Sequence, residues 1–295
     1  MKRILALLLT LTLGISVFSG CQKKDETSNH LNLITSFYPI YIMTLNITDG
    51  VDGVNVENMA DQNIGCLHDF QIQTEDIKKI EKADAFIING ASMESFIDKI
   101  INQQISTPII DSSTGIELIK DDPSSEEYNP HIWVSISNYI EQVKNISKEI
   151  IALDPQNKDK YQSNTNAYLE KLTTLKDKMH NELSDIKETD IITFHEAFPY
   201  FAKEFNLNIV GVIDREPNSA PSAQEISDTI NLVNDTKIKA LFAEPQYSPD
   251  AANVIAAETG ATVYFLDPCS SGETYNDSYL DAMEKNLAVL KEALS

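Results

Sequence analysis

The chain has 295 residues, and its 45 acidic side chains against 23 basic ones give a formal net charge of -22. So acidic a surface repels nucleic acid and anionic lipid headgroups and attracts cations, which excludes nucleic acid as a partner. Three cysteines are too few for a scaffold built on disulfides, so apolar cores must supply the stability. The length is sufficient for two α/β lobes with a core each.

The N-terminal segment has the pattern of a secretory signal peptide. Lys2 and Arg3 precede an apolar run that is short for a membrane span, and small residues stand before Cys21. We predict a signal peptide at residues 1–20 and a flexible polar tether at 21–30. The ending resembles the lipobox of bacterial lipoproteins, which implies that Cys21 carries a lipid and anchors the protein outside the cell membrane. Plain secretion with a structural Cys21 is the alternative.

Residues 31–154 are predicted to form an N-terminal α/β lobe. Short apolar runs alternate there with segments of helical spacing, as in a parallel sheet covered on both faces. The predicted strands are residues 31–35, 54–59, 85–89 and 108–111, and the predicted helices are 40–48, 75–82 and 94–102. An amphipathic helix follows from residue 136, with Ser135 as its N-cap.

One long helix is predicted at residues 155–186, after the break at Asp154-Pro155. Its apolar stripe runs over about thirty residues, far beyond the mean helix of about 11 to 12. A helix of that length is longer than a small domain is wide, so we interpret it as the connector between two lobes. A coiled-coil dimer seam is the alternative, and it has fewer than four clean heptads behind it.

Residues 187–295 repeat the alternation as a C-terminal α/β lobe. The predicted strands are 190–194, 207–213, 238–243 and 261–266, and the predicted helices are 196–205, 223–234, 249–259 and 278–294. The predicted fold is therefore α/β, with two lobes that each have a parallel sheet of about four strands flanked by helices.

Four residues that can bind a metal follow predicted strands. His68 comes after the second strand, His131 after the fourth, His195 directly after the fifth and Asp267 directly after the eighth. Ligands of open parallel sheets bind at the carboxyl ends of the strands, so two residues from each lobe are predicted to meet in the cleft. Three imidazoles and one carboxylate suit Zn²⁺, whereas Mn²⁺ or Ca²⁺ recruits more oxygen ligands. A satisfied loop histidine is the alternative for each position taken alone.

These residues lie in a series of motifs that together resemble the cluster A-I metal-binding lipoproteins, the solute-binding components of bacterial zinc and manganese ABC importers. The motifs run from Phe37-Tyr38-Pro39 through the His68 loop and Asn129-Pro130-His131-Ile132-Trp133 to the His195 segment, residues 242–246 and Leu266-Asp267-Pro268.

The resemblance implies a monomeric, extracytoplasmic protein that binds one metal between its lobes and delivers it to a membrane permease powered by an ATPase. A histidine at position 195, where manganese-binding members have a glutamate type, favours Zn²⁺ as the ligand. A manganese- or iron-binding member of the same family is the alternative. We interpret Asp69, Glu196 and Glu244 as carboxylates that orient the imidazoles.

The sequence departs from the family pattern at three places. Leu67 stands where the family usually has proline before its first ligand, and residues 121–128 are acidic but contain no histidine. Cys66 and Cys269 each lie two residues from a predicted ligand. They are interpreted as inert neighbours, with a disulfide across the cleft or thiolates that alter the metal site as alternatives.

Two other classes of function fit the sequence less well. A zinc-dependent hydrolase is disfavoured, because His195-Glu196 begins an H-E-x-x-H pattern that fails at Pro199 and because four protein ligands leave no open coordination position. We therefore predict that the protein is not an enzyme. A surface adhesin shares the lipoprotein anchor, and metal-independent binding to host matrix proteins would support it.

Overall fold

Two parallel sheets of four strands each confirm the predicted fold class. The computed structural model describes residues 30–61, 66–67, 70–97, 100, 106–120, 127–213 and 221–295. In the first sheet the order is β2-β1-β3-β4, and in the second it is β6-β5-β7-β8, with every strand pair parallel. The strands are β1 (Leu31–Thr35), β2 (Val54–Asn58), β3 (Ala85–Ile88), β4 (Ile109–Asp111), β5 (Asp190–Phe194), β6 (Asn208–Ile213), β7 (Ala240–Ala243) and β8 (Thr262–Phe265).

Eight helices of more than one turn flank these sheets within the described ranges. They are α1 (Tyr38–Thr48), α2 (Thr74–Lys82), α3 (Ile136–Leu153), α4 (Lys158–Leu183), α5 (Pro199–Phe205), α6 (Ala223–Thr236), α7 (Asp250–Thr259) and α8 (Ser278–Leu294). Three predicted features lie wholly or partly outside the described residues: the N-terminal segment up to residue 29 with its signal peptide and Cys21, the helix at 94–102, and the acidic segment from residue 121 to 126.

Local sequence signals explain where several helices begin. The Ser135 hydroxyl accepts a hydrogen bond from the backbone N–H of Asn138, as predicted for the N-cap of α3. Ser222 and Glu225 form a reciprocal capping box at the start of α6. These contacts satisfy backbone donors that have no partner inside the helix.

Two helices begin three residues later than predicted. Residues 155–157 form a single 3-10 turn, and α4 then covers 26 residues, which is about 39 Å at the usual rise. The other difference is that α5 begins at Pro199 rather than at residue 196. His195 has a φ of +108°, which no α-helix tolerates, so the chain bends before Pro199 can open the helix.

The two lobes are packed against each other along α4. Helices α1, α3 and α8 all contact α4, and its apolar stripe is buried inside this one chain rather than exposed for a dimer. The Tyr139 ring of α3 stacks on the Tyr279 ring of α8, with centroids 3.6 Å apart. Residues of both lobes share one apolar cluster, and Leu31–Ser295 form one compact unit.

Hydrogen bonds also join the lobes near the cleft. The Trp133 indole N–H donates to the carbonyl oxygen of Pro268 at 2.8 Å, and the Tyr38 hydroxyl donates to the carbonyl oxygen of Glu273 at 2.8 Å. Because these donors are buried aromatic side chains, moving the lobes apart would leave polar groups without partners. No helix of the described residues has the length and apolar character needed to cross a membrane.

Candidate metal site

His131 is held at the end of a buried loop after β4. Its ring is completely buried, and Asn129 fixes it twice: the Oδ1 atom of Asn129 accepts from the His131 backbone N–H at 3.0 Å and lies 3.1 Å from Nδ1 of the ring. The Asn89 side-chain amide donates to the carbonyl oxygen of Pro130 at 2.9 Å, which fixes the preceding peptide. A proton on Nδ1 would therefore leave Nε2 of His131 available as a ligand atom.

His195 is held directly after β5 by a strained backbone. Its N–H donates to the carbonyl oxygen of Ile213 at 3.0 Å, and its own carbonyl oxygen accepts from the Thr193 hydroxyl at 3.1 Å. These two bonds hold the residue at its positive φ, a conformation that costs a non-glycine residue about 1–3 kcal/mol and is concentrated at functional sites. Nδ1 of the ring lies 3.3 Å from a carboxylate oxygen of Glu196. This contact supports the prediction that Glu196 orients the ring.

The Nε2 edges of the two imidazoles meet between the lobes. Nε2 of His131 lies 3.1 Å from Nε2 of His195, and both rings are at least 98% buried. Two nitrogens bound to one tetrahedral zinc at about 2.0–2.1 Å are about 3.3 Å apart. The two rings therefore already stand at the separation that a shared metal ion requires.

A third donor of this cluster is the thiol of Cys66. Among the described residues, one group of three brings His, Cys, Asp or Glu ligand atoms within 4.8 Å of one another, and it consists of Cys66, His131 and His195, all buried. Burial raises the pKa of the Cys66 thiol, against smaller opposing effects of His195. Burial also opposes protonation of His195, but its contacts with Cys66 and Glu196 and the charge of Glu244 together raise its pKa. The metal-free site thus holds protons that a cation must displace.

Glu244 follows β7 at the centre of the second sheet, beside the strand that leads to His195. Strand β5 lies between β6 and β7, so His195 and Glu244 leave the sheet at its topological switch point. The side chain of Glu244 is completely buried; Oε2 accepts from the Gln246 amide at 2.6 Å, and Oε1 has no hydrogen-bond partner among the described residues. Burial raises the pKa of this carboxyl to about 8, although His195 lowers it in part.

The other predicted site residues are placed differently. Asp267 follows β8, and its Oδ1 accepts from the backbone N–H of Cys269 at 2.8 Å, but its carboxylate does not belong to the cluster of Cys66 and the two histidines. Burial raises the pKa of Asp267. His68 and Asp69 lie outside the described residues. Their predicted roles, and that of Asp267 as a ligand, stay predictions.

Two features of this site were not predicted from the sequence. Cys66 was interpreted as an inert neighbour, yet its thiol lies in the cluster, and a disulfide with Cys269 is wrong because both thiols are free. Asn129 belongs to the Asn129–Trp133 motif, and the sequence alone indicates no role for it. In the structure its Oδ1 contacts both the backbone N–H and the ring of His131.

A buried set of imidazole and thiol donors at the carboxyl ends of strands, between two α/β lobes, defines a two-lobed metal-binding protein. The chain belongs to the family described as zinc-uptake complex component A, periplasmic, whose model matches residues 33–293. This match confirms the resemblance predicted from the sequence.

Individual relatives agree with the family. The chain is 28% identical over 311 residues to the zinc-binding lipoprotein AdcA of Streptococcus pneumoniae strain R6. The alignment covers 99% of this chain and 61% of that protein, so the chain spans less than two thirds of that relative. It is 28% identical to the high-affinity zinc uptake system protein ZnuA of Bacillus subtilis, over 92% of this chain and 89% of that protein. The solved laminin-binding protein Lmb of Streptococcus agalactiae is 27% identical with a TM-score of 0.78, over 90% of this chain and all of that chain.

Proposed function

We propose that the protein is an extracytoplasmic carrier that captures Zn²⁺ between its lobes and delivers it to an ABC transporter permease driven by an ATPase. The observation that carries this proposal is the convergence of the two Nε2 atoms at 3.1 Å, each on a ring held through its other edge. Such preorganisation suits a site that must bind a dilute ion tightly. Membership of a zinc-uptake family supports the identity of the ion.

The proposed ligands are His68, His131, His195 and Asp267. Of these, His131 and His195 lie together, and Asp267 needs a change of side-chain conformation or of its loop to join them. Glu196 and Glu244 are the carboxylates that we propose as supports for the site, together with Asp69. The protein acts as a monomer, and Cys21 carries the lipid that anchors it to the cell membrane.

The test is metal analysis of the purified protein with competition between Zn²⁺ and Mn²⁺, for the wild type and His195→Ala. We expect one Zn²⁺ per wild-type chain, a preference for Zn²⁺ over Mn²⁺, and a loss of affinity in the variant. If His195→Ala bound zinc with unchanged affinity, the proposed location of the metal site would be refuted. A wild type that prefers Mn²⁺ would instead favour the manganese alternative.

Adhesion is a second candidate, favoured by the likeness to Lmb, whose structure is described as that of a bifunctional protein with adhesin and metal transporting activity. Binding to immobilised laminin, measured with and without a chelator, tests it. Saturable binding that survives removal of zinc would support a separate adhesive surface, whereas no binding above that of an unrelated acidic protein would exclude this function. A turnover assay with ester and peptide substrates checks the prediction that the protein is not an enzyme.

A further inference from the structure

The thiol of Cys66 is inside the metal cluster, although the preferred interpretation of the sequence makes this residue an inert neighbour. The residue is 2% exposed, and its sulfur lies within 4.8 Å of ligand nitrogens on both His131 and His195. The second cysteine, Cys269, is also buried and free, but its sulfur faces the carbonyl oxygen of Asp267 at 3.6 Å and it does not belong to the cluster. Among the described residues the two cysteine thiols are therefore equally buried and differently placed.

The dimensions of the cluster are those of a zinc site with one sulfur and two nitrogens. Zn–S bonds of about 2.3 Å and Zn–N bonds of about 2.0–2.1 Å place tetrahedral donors about 3.3–3.6 Å apart. The observed donors all lie within 4.8 Å, and the two nitrogens are 3.1 Å apart. A shift of the Cys66 sulfur by about 1 Å, which a side-chain rotation can provide, would bring it within bonding distance of an ion shared with the two histidines.

Charge balance also favours a thiolate in this pocket. Two neutral imidazoles would leave a dication uncompensated in a buried site, where an unpaired charge is strongly unfavourable. A thiolate and one carboxylate would bring the site to neutrality. Glu244 offers such a carboxylate, since it is completely buried, its Oε1 atom has no hydrogen-bond partner among the described residues, and it interacts electrostatically with His195.

We propose that Cys66 is a metal ligand: its thiolate coordinates the ion together with His131 and His195, and this sulfur is what makes the site discriminate Zn²⁺ from Mn²⁺. Binding converts the thiol into a metal thiolate and releases its proton to solvent. Soft sulfur donors select zinc, whereas Mn²⁺ prefers oxygen ligands. The inference rests on the proposed function and revises the ligand set of the same site: Cys66 takes one of the two positions assigned above to His68 and Asp267, so the ion keeps four protein ligands.

Cobalt substitution tests the sulfur–metal bond directly. Co²⁺ is titrated into the purified wild type, Cys66→Ser and Cys269→Ser, and the absorption spectrum is recorded. We expect a near-ultraviolet sulfur-to-cobalt charge-transfer band in the wild type and in Cys269→Ser, and its loss in Cys66→Ser while the visible cobalt bands remain. Cys269→Ser is the matched control, since it removes an equally buried thiol outside the cluster.

The outcomes separate the two proposals. Visible cobalt bands in all three proteins without a charge-transfer band would overturn the role of Cys66 and leave the carrier function standing. No binding of Co²⁺ or Zn²⁺ by any of them would overturn both. Should Cys66→Ser fail to fold, X-ray absorption of the zinc-loaded wild type decides alone: a sulfur neighbour at about 2.3 Å supports the proposal, and a shell of nitrogen and oxygen only refutes it.

Selectivity provides the second readout. Competition between Zn²⁺ and Mn²⁺ is measured for the same three proteins. In Cys66→Ser we expect the ratio of the Zn²⁺ to the Mn²⁺ affinity to fall by about tenfold to a hundredfold, and in Cys269→Ser to stay at the wild-type value. An unchanged ratio in Cys66→Ser would show that sulfur does not set the discrimination.

Discussion

Asn129→Ala should weaken zinc binding more than any other substitution that leaves the ligands intact. The Asn129 side chain is completely buried and serves both lobes: Oδ1 lies 3.1 Å from Nδ1 of His131 and accepts from the backbone N–H of that residue, while Nδ2 donates to the carbonyl oxygen of Glu196 at 2.8 Å. Glu196 is next to His195 in the chain. One amide therefore fixes the ring of one histidine and the backbone beside the other.

The magnitude follows from these contacts. Removing a partner that orients a metal-binding histidine costs about 10- to 100-fold in affinity, which is about 1.4–2.8 kcal/mol. The alanine also removes the hydrogen bonds that Asn129 makes with the His131 N–H groups and the Glu196 carbonyl oxygen, at about 1–3 kcal/mol each. We expect a 10- to 100-fold higher Kd for Zn²⁺, measured by competition with a chelator, and a loss of several kcal/mol in the free energy of unfolding of the metal-free protein.

Tyr200→Phe is the matched control. The Tyr200 hydroxyl donates to the carbonyl oxygen of Asn129 at 2.8 Å and accepts from the backbone N–H of Ile119 at 3.0 Å, so its removal weakens the same loop without touching either histidine. It should lower stability and leave the Kd within about threefold of wild type. If both variants lost affinity equally, loop stability and not the orientation of His131 would be the cause, and the reasoning on Asn129 would be refuted.

The remaining predictions concern the frame around the site. Burial raises the pKa of Glu94 to about 7, so the stability that this group contributes is complete below about pH 4.5 and is lost as pH rises through 7. Glu94→Gln should remove about 3 kcal/mol of this pH dependence from the free energy of unfolding measured in urea. Parallel plots of that free energy against pH for the two proteins would contradict the prediction. Gly90 has a φ of +78°, and a Cβ there would lie 1.9 Å from Oδ1 of Asp111, whereas a Cβ on Gly115 (φ +80°) meets nothing within 4 Å. Both Gly90→Ala and Gly115→Ala should lose about 1–3 kcal/mol of stability to backbone strain, and Gly90→Ala should lose more because of the clash. Equal losses of stability in the two variants would exclude the clash. Finally, scattering curves of the metal-free and zinc-loaded protein should coincide, because hydrogen bonds and a shared core already join the lobes; a clear compaction on zinc addition would show a hinge.

The fold could be predicted from the sequence because its signals are local. Apolar runs of four to six residues, helical spacing, and capping residues such as Ser135 and Ser222 each act within a few positions. The meeting of His131 and His195 also followed, since parallel sheets bring the ends of their strands to one edge. The order of the strands, which is the same in both sheets, decides which strand ends are neighbours.

What the sequence concealed depends on the path of loops. Cys66 stands in the loop after β2, and only the three-dimensional course of that loop brings its thiol near His131 and His195. The start of α5 differs from the prediction for a related reason: His195 has a positive φ and is held by a hydrogen bond to Ile213 on the neighbouring strand and by the hydroxyl of Thr193, and no residue preference indicates this conformation. In both cases a site geometry overrides a local pattern.

The combination of rigid lobes and a strained ligand backbone constrains how zinc can leave. Stacking of Tyr139 on Tyr279 and the Trp133 hydrogen bond to Pro268 oppose a hinge motion of the whole lobes. The bond from Asn129 to Glu196, by contrast, is a single contact, and the backbone of His195 beside it stores strain that a rearranged loop would release. Breaking that contact would both loosen the orientation of the His131 ring and let the backbone of His195 relax. For the proposed carrier function we therefore expect release of the ion to proceed by displacement of the 129–131 and 195–198 loops, with the loss of a few hydrogen bonds, and not by opening of the interface along α4.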